Sequence, residues 1–416
     1  MNKFLHRWLT ISFLNLLLVA FLGVLMRYKI EYSLPFVDQK NILHSHSHFA
    51  FSGWIAQTLM VLLVYYLSVN IGNHVFKKYR WLLYANVIIA YGMLITFILQ
   101  GYAFFSISFS SLSIIISWFF AGYYWKDLNR IRENRVSHLW FKAALVFSVI
   151  SSIGTFGLAY TMANKTINQD WYLASIYFFL HFQYNGWFFF AGMGLLVSNL
   201  EKINAAAKDL KIAFLFFCFA CIPAYFLSVL WIPFGKIIYG VILAAVIAQL
   251  AGWAFMVKVF IKNKTFISQQ FSKYGKVLLL LSAIAFTIKL LLQSGSVHPE
   301  LSQLSYGFRP IIIGYLHLVL LAVTSIFIIG YIISLELIQV NKMLITGVFI
   351  FVAGVIINEL LLMVQGIAGL TYNIVPYINL LLLMASGILF LGIGMMLISC
   401  FTVFAYKGDR ASEQIS

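Results

Sequence analysis

The chain has 416 residues, of which 62% are hydrophobic and only 10% charged, with a formal net charge of +16. A soluble domain carries about 25% charged residues, so this composition excludes an ordinary soluble fold and leaves room only for short loops. The cations sit in those loops between apolar runs, where the positive-inside rule accounts for them, so a nucleic-acid partner is excluded and a lipid bilayer is the expected surroundings.

Runs long enough to cross about 30 Å of hydrocarbon are predicted at 8–26, 45–69, 81–100, 104–125, 139–163, 170–197, 209–231, 237–260, 276–293, 309–334, 342–364 and 377–405. The first begins behind Lys3 and Arg7 and lacks a small-residue cleavage site, so it is read as a retained helix rather than a leader. The third and fourth are barely separated. The fold class expected is an all-α integral membrane bundle of about twelve transmembrane helices, one polytopic domain over 1–416, with no obvious internal repeat. Twelve spans put both termini on one face. That face collects twenty-one lysines and arginines, against six on the other (Arg27, Lys29, Lys40, Lys165, Lys236 and Arg309). The bias places both termini in the cytoplasm of a plasma membrane, the inner membrane in a bacterium.

Ionisable groups inside a bilayer are costly and mark function by default. Five histidines fall in spans or at their edge: His44 just ahead of the second, His46 and His48 in it, His181 in the sixth and His317 in the tenth. With the termini inside, these spans all run inward, and at 1.5 Å per residue His48, His317 and His181 lie roughly 6, 12 and 16 Å below the outer boundary. Lys289 and Glu359 fall near the outer ends of the ninth and eleventh spans, with Gln183, Asn185, Gln293, Asn358 and Gln365 at similar levels. The inner half shows no such set.

On a helix His44 and His48 share a face and His46 points away. The pair suits a metal, or one histidine suits haem iron while another meets a propionate; a solvated interfacial run is the plainer alternative. Interior histidines also brace helices through hydrogen bonds, which is the competing account of His48, His317 and His181. Cys218 and Cys221 have metal-ligand spacing but also read as small buried apolar residues. Lys289 and Glu359 suit a buried ion pair, a proton relay or an anchor for a carboxylate.

The segment His46-Ser-His48-Phe-Ala-Phe-Ser-Gly53-Trp54 resembles the H-x-H-x-x-x-x-G-W signature of haem–copper oxidase subunit I and its relatives, and Tyr315-Leu316-His317 resembles the tenth-helix H-x-H pair of that family. The resemblance implies a low-spin haem b between the second and tenth helices, with His48 and His317 as ligands and His46 and His44 competing with His48. It also implies a metal, copper in the family, at His181, with Gln183, Asn185, Lys289, Tyr315 and Glu359 as further polar site candidates. The pattern departs from the family in two places. The seventh span ends Leu230-Trp-Ile-Pro-Phe234 where the oxidases carry adjacent histidines, and Tyr315 replaces the first tenth-helix histidine. The conventional copper centre is therefore incomplete. What the resemblance leaves is electron transfer, or handling of nitric oxide or oxygen as in the nitric-oxide-response proteins, with an electron donor or partner subunit implied. The alternative is a secondary transporter or metal permease that lines its path with the same histidines and Glu359.

Overall fold

Hydrocarbon offers no water to a backbone amide, so a chain this apolar must pair every N–H and C=O within its own segments. It does so as helix: 87% is helical, and no strand occurs among the described residues. The computed structural model describes residues 3–133, 135–164, 168–203, 206–302 and 308–413, with side chains as far as Phe401. Lys165, one of the six cations opposite the termini, lies outside them.

The long helices are α1 (Lys3–Glu31), α2 (Gln39–Ile71), α3 (His74–Gln100), α4 (Phe104–Leu128), α5 (Val136–Ala163), α6 (residues 169–200), α7 (Ala207–Cys221), α8 (Lys236–Lys262), α9 (Lys273–Gly295), α10 (Arg309–Ser334), α11 (Lys342–Leu370) and α12 (Ile378–Glu413). Ten of them, all but α6 and α7, are long and apolar enough to cross a membrane. An eleventh crossing follows if α7 is counted with the 3₁₀ turn Pro223–Val229, from which it is bent by 47°. The chain is a multi-pass membrane protein. The narrow gap between the third and fourth predicted spans is a turn: Gly101 takes φ +62°, and Ser106 Oγ donates to its carbonyl at 2.7 Å. An L side chain is strained at that φ.

Successive helices pack side by side in chain order, and α12 returns to pack along α1, so the bundle closes on itself. Three helices stand inside the ring. No residue is exposed over 41–68 in α2, 173–200 in α6 or 310–334 in α10, whereas every other long helix presents exposed apolar side chains to the lipid. The inner helices are thus every fourth one. They touch each other: Trp54 Nε1 of α2 donates to Ser325 Oγ of α10 at 2.9 Å, and Asn199 Nδ2 of α6 donates to Tyr331 Oη of α10 at 3.3 Å.

Helices in lipid gain little from hydrophobicity, so they associate through close backbone approach at small residues. Gly347 on α11 and Gly392 on α12 provide it: a Cβ on Gly392 would lie 2.5 Å from Phe351 N and 2.8 Å from Gly347 O. Neither atom is the end of a flexible side chain. Gly392→Ala is expected to destabilise the protein by about 1–3 kcal/mol, the usual cost of overpacking. Gly240→Ala, on open lipid-facing helix with nothing within 4 Å, should be neutral or stabilising by about 0.5–1 kcal/mol. Thermal unfolding in detergent of the two variants side by side checks this.

Candidate functional site

Each inner helix switches from α to π hydrogen bonding just past its histidine. The π segments are Ala50–Ala56 after His48, Phe182–Phe188 after His181 and Leu318–Ser325 after His317. A π turn widens the helix, displaces carbonyls from their α partners and is frequent at functional sites. In hydrocarbon the displaced carbonyls need new donors. Asn15 Nδ2 of α1 donates to Gly53 O at 2.6 Å, and its Oδ1 accepts from Tyr91 Oη at 2.9 Å. Asn86 Nδ2 of α3 donates to Ser52 O at 3.1 Å, and Ser282 Oγ of α9 donates to Val323 O at 2.8 Å.

Two of these segments share a sequence. His48-Phe-Ala-Phe-Ser-Gly53-Trp54 and His181-Phe-Gln-Tyr-Asn-Gly186-Trp187 read His-Phe-x-aromatic-polar-Gly-Trp, 133 residues apart, and His317 follows His181 by 136. Both tryptophans are buried. No obvious internal repeat was expected; α2 and α6 nonetheless share this one seven-residue segment, which α10, continuing His317-Leu-Val-Leu-Leu, does not carry.

The histidine run divides between two faces of α2. His48 stacks on Phe97 with 4.4 Å between ring centroids, and its Nε2 is 3.1 Å from Tyr102 Oη in the α3–α4 turn. His44 lies edge-on to Tyr102, and its Nε2 is buried with no hydrogen-bond partner. His46 points the other way, toward α1. Its Nδ1 is 3.0 Å from Val19 O, and its ring packs over Gly23, whose added Cβ would lie 3.7 Å from it.

His317 has the same arrangement as His46. Its Nδ1 is 2.8 Å from Ile313 O, one turn back on α10. A carbonyl only accepts, so both rings carry their proton on Nδ1 and present a bare Nε2 lone pair. Neither Nε2 has a hydrogen-bond partner among the described residues. The two imidazoles lie within electrostatic reach of each other, and both feel the Arg27 guanidinium at the end of α1. Residues 311–317 of α10 and 173–180 of α6 are half-buried throughout, although these helices have no exposed face. The histidine end of these helices is therefore less tightly covered than their other end, where residues 189–200 of α6 and 328–334 of α10 are almost all buried.

The other candidates are placed differently. His181 is fully buried and uses both nitrogens: Nε2 donates to Cys221 O at 2.8 Å, and Nδ1 accepts from Asn185 Nδ2 at 3.2 Å. Gln183 Nε2 donates to Ser151 Oγ at 2.8 Å, and Tyr315 stands 6.5 Å, ring to ring, from Tyr184. Glu359 accepts from Asn358 Nδ2 at 3.2 Å and forms no ion pair with Lys289. Cys221 Sγ is 3.8 Å from Asn185 O. No group of three His, Cys, Asp or Glu side chains able to hold a metal occurs among the described residues. The residue that the sequence did not single out is Arg27. Its position one helix end away from His46 is a consequence of the α1–α2 turn, and in the sequence it registers only as a loop cation.

Comparison of the chain with protein-family models and with curated proteins finds no match. Geometry therefore carries the assignment of function. Asn15→Leu, which keeps the size of the side chain and removes the donor to Gly53, is expected to cost about 1 kcal/mol. Chemical denaturation of the variant measures it, and a loss below about 0.3 kcal/mol would show that the π turn does not depend on α1.

Proposed function

We propose that the protein is a haem-binding membrane protein of the haem–copper oxidase subunit I-like kind, with twelve crossings and a b-type haem that His46 and His317 would hold. The observation that supports it most is the matched pair of imidazoles. Each has Nδ1–H committed to a backbone carbonyl, which fixes ring and tautomer and raises the basicity of Nε2. Each leaves that Nε2 bare where its helix is only half-buried. Neutral imidazoles suit haem iron, and burial together with two histidines tunes its potential.

The residues present fit the group. Both rings are only half-buried although their helices have no exposed face, and Arg27 would supply the cation that a propionate needs on burial. His48, favoured by its motif position, is committed to Phe97 and Tyr102, so the ligand from α2 is His46. Bound there, the haem supplies one-electron chemistry. With His46 and His317 both given to holding the group, electron transfer would be favoured over direct handling of nitric oxide or oxygen. The copper of the resemblance has no comparable support, because His181 has spent both nitrogens. The positive-inside bias of the loops supports a plasma-membrane location with cytoplasmic termini and the haem in the outer half, near an external or membrane-bound electron donor.

The reduced-minus-oxidised absorption spectrum of protein expressed with ample haem tests this. A low-spin b-type spectrum is expected in the wild type and in His48→Ala, and its loss in His46→Ala and His317→Ala. Wild-type protein without Soret absorption would end the haem reading; loss in His48→Ala with retention in His46→Ala would return the ligand to His48.

A further inference from the structure

A second feature of the bundle lies apart from His46 and His317. Lys289, on α9, is 3% exposed, and no carboxylate or hydrogen-bond acceptor pairs with its ammonium among the described residues. Its recorded contact is with the Phe286 ring, whose centroid is 5.5 Å from Nζ. An unpaired cation buried among helices costs several kcal/mol unless something compensates it.

Lys289 borders a cavity of about 280 Å³ enclosed by α6, α8, α9 and α10. The walls are almost wholly apolar, including Phe188, Phe189, Trp253, Val323 and Phe327. The cavity follows α9 from Lys289 down to Lys276, thirteen residues or about 20 Å of helix. The cavity is thus elongated along the helix. An engineered cavity of about 150 Å³ takes benzene, so the volume suffices for a ligand and the shape selects a linear one. At its sides the cavity reaches Leu280, which is 61% exposed on the lipid-facing surface, so a ligand enters from the bilayer. At the far end Lys276 Nζ is already committed to Ser268 O and Oγ, both at 3.0 Å. Lys264 at that same end is exposed, so Lys289 is the cation of the lining that is both buried and without a partner among the described residues.

We propose that this cavity binds a long-chain carboxylate, a fatty acid, with its head group on Lys289 Nζ and its chain running along α9 toward Ser268. A single ammonium in apolar walls matches a singly charged head. A phosphate or a zwitterionic head group would need further polar partners that these walls do not supply. The ligand thus offsets the burial of Lys289, and the site is independent of any haem.

The test uses full-length protein in phospholipid nanodiscs, with radiolabelled palmitate as probe and hexadecanol, which has the same chain and a neutral head, as comparator. Palmitate is expected to bind saturably at one per chain. Lys289→Met should weaken it at least about tenfold, the loss expected for a charge-assisted hydrogen bond. Hexadecanol should bind weakly and equally to both proteins. Lys264→Gln, at the opposite end of the cavity, should change palmitate binding less than about twofold. Palmitate should also raise the melting temperature of the wild type and not that of Lys289→Met. Should Lys289→Met fail to fold, Ala283→Phe, which blocks the cavity below Lys289, is expected to abolish palmitate binding in its place. Equal palmitate binding to the wild type and the variant that folds, or hexadecanol binding as tightly as palmitate, would overturn the proposal. So would a larger loss in Lys264→Gln than in Lys289→Met, which would put the head group at the other end.

Discussion

Every backbone polar group inside hydrocarbon needs a partner, and the arrangement of this bundle follows from how three helices break and then meet that demand. A plain α-helix satisfies itself and can face lipid. A helix with a π turn cannot, because its displaced carbonyls call for donors from outside. The three helices with π turns are the three that no lipid touches. Asn15 and Asn86 supply donors to α2 and Ser282 to α10, each from a surrounding helix, while at α6 the weak donor Cys221 Sγ stands 3.8 Å from Asn185 O. The ring of outer helices is therefore more than a wrapping: it completes the hydrogen bonding that the inner helices gave up.

What the π turns provide is side-chain direction. Widening the helix just past His48, His181 and His317 moves the following residues around the axis and lets glycine and tryptophan pack where the helices cross. Gly53 and Trp54 do this for α2, and Trp54 reaches Ser325 within the π segment of α10. The histidines one turn earlier are then held at fixed angles. At α6 the result is a saturated brace between His181, Cys221 and Asn185. Between α2 and α10 it is two imidazoles with matching tautomers and open lone pairs. The same device thus leaves one histidine fully hydrogen-bonded and two with an open lone pair, and the difference is whether the second ring nitrogen finds a partner among the described residues.

Much of the fold was legible because length and hydropathy report directly on the cost of crossing a bilayer. The span boundaries at 309–334 and 342–364 lie within a few residues of α10 and α11, and even the narrow gap at 101–103 is a real turn. The sixth span is the informative case. Gln169, Asp170, His181, Gln183 and Asn185 lower its hydropathy, since an inner helix never faces lipid and carries polar braces instead. The helices that carry the histidines were legible, but the different surroundings of the three neighbouring histidines were not. His44, His46 and His48 are equivalent to any rule based on spacing, and the choice among them depends on Val19 O, Phe97 and Tyr102, which arrive from α1, α3 and the turn after α3. The segment shared by 48–54 and 181–187 escaped because seven residues are too few to stand out against helices built mostly from leucine, isoleucine and phenylalanine.

The most direct test of the account is chemical rescue of the axial ligands, read by electron paramagnetic resonance of the oxidised protein. The wild type should give a low-spin ferric signal. His46→Gly and His317→Gly should each convert it to high spin, and added imidazole should restore low spin in both by occupying the vacated position. A His46→Gly protein whose signal stays low-spin without imidazole would contradict the assignment of His46, and a wild-type protein with no ferric haem signal would contradict the reading of the paired imidazoles altogether.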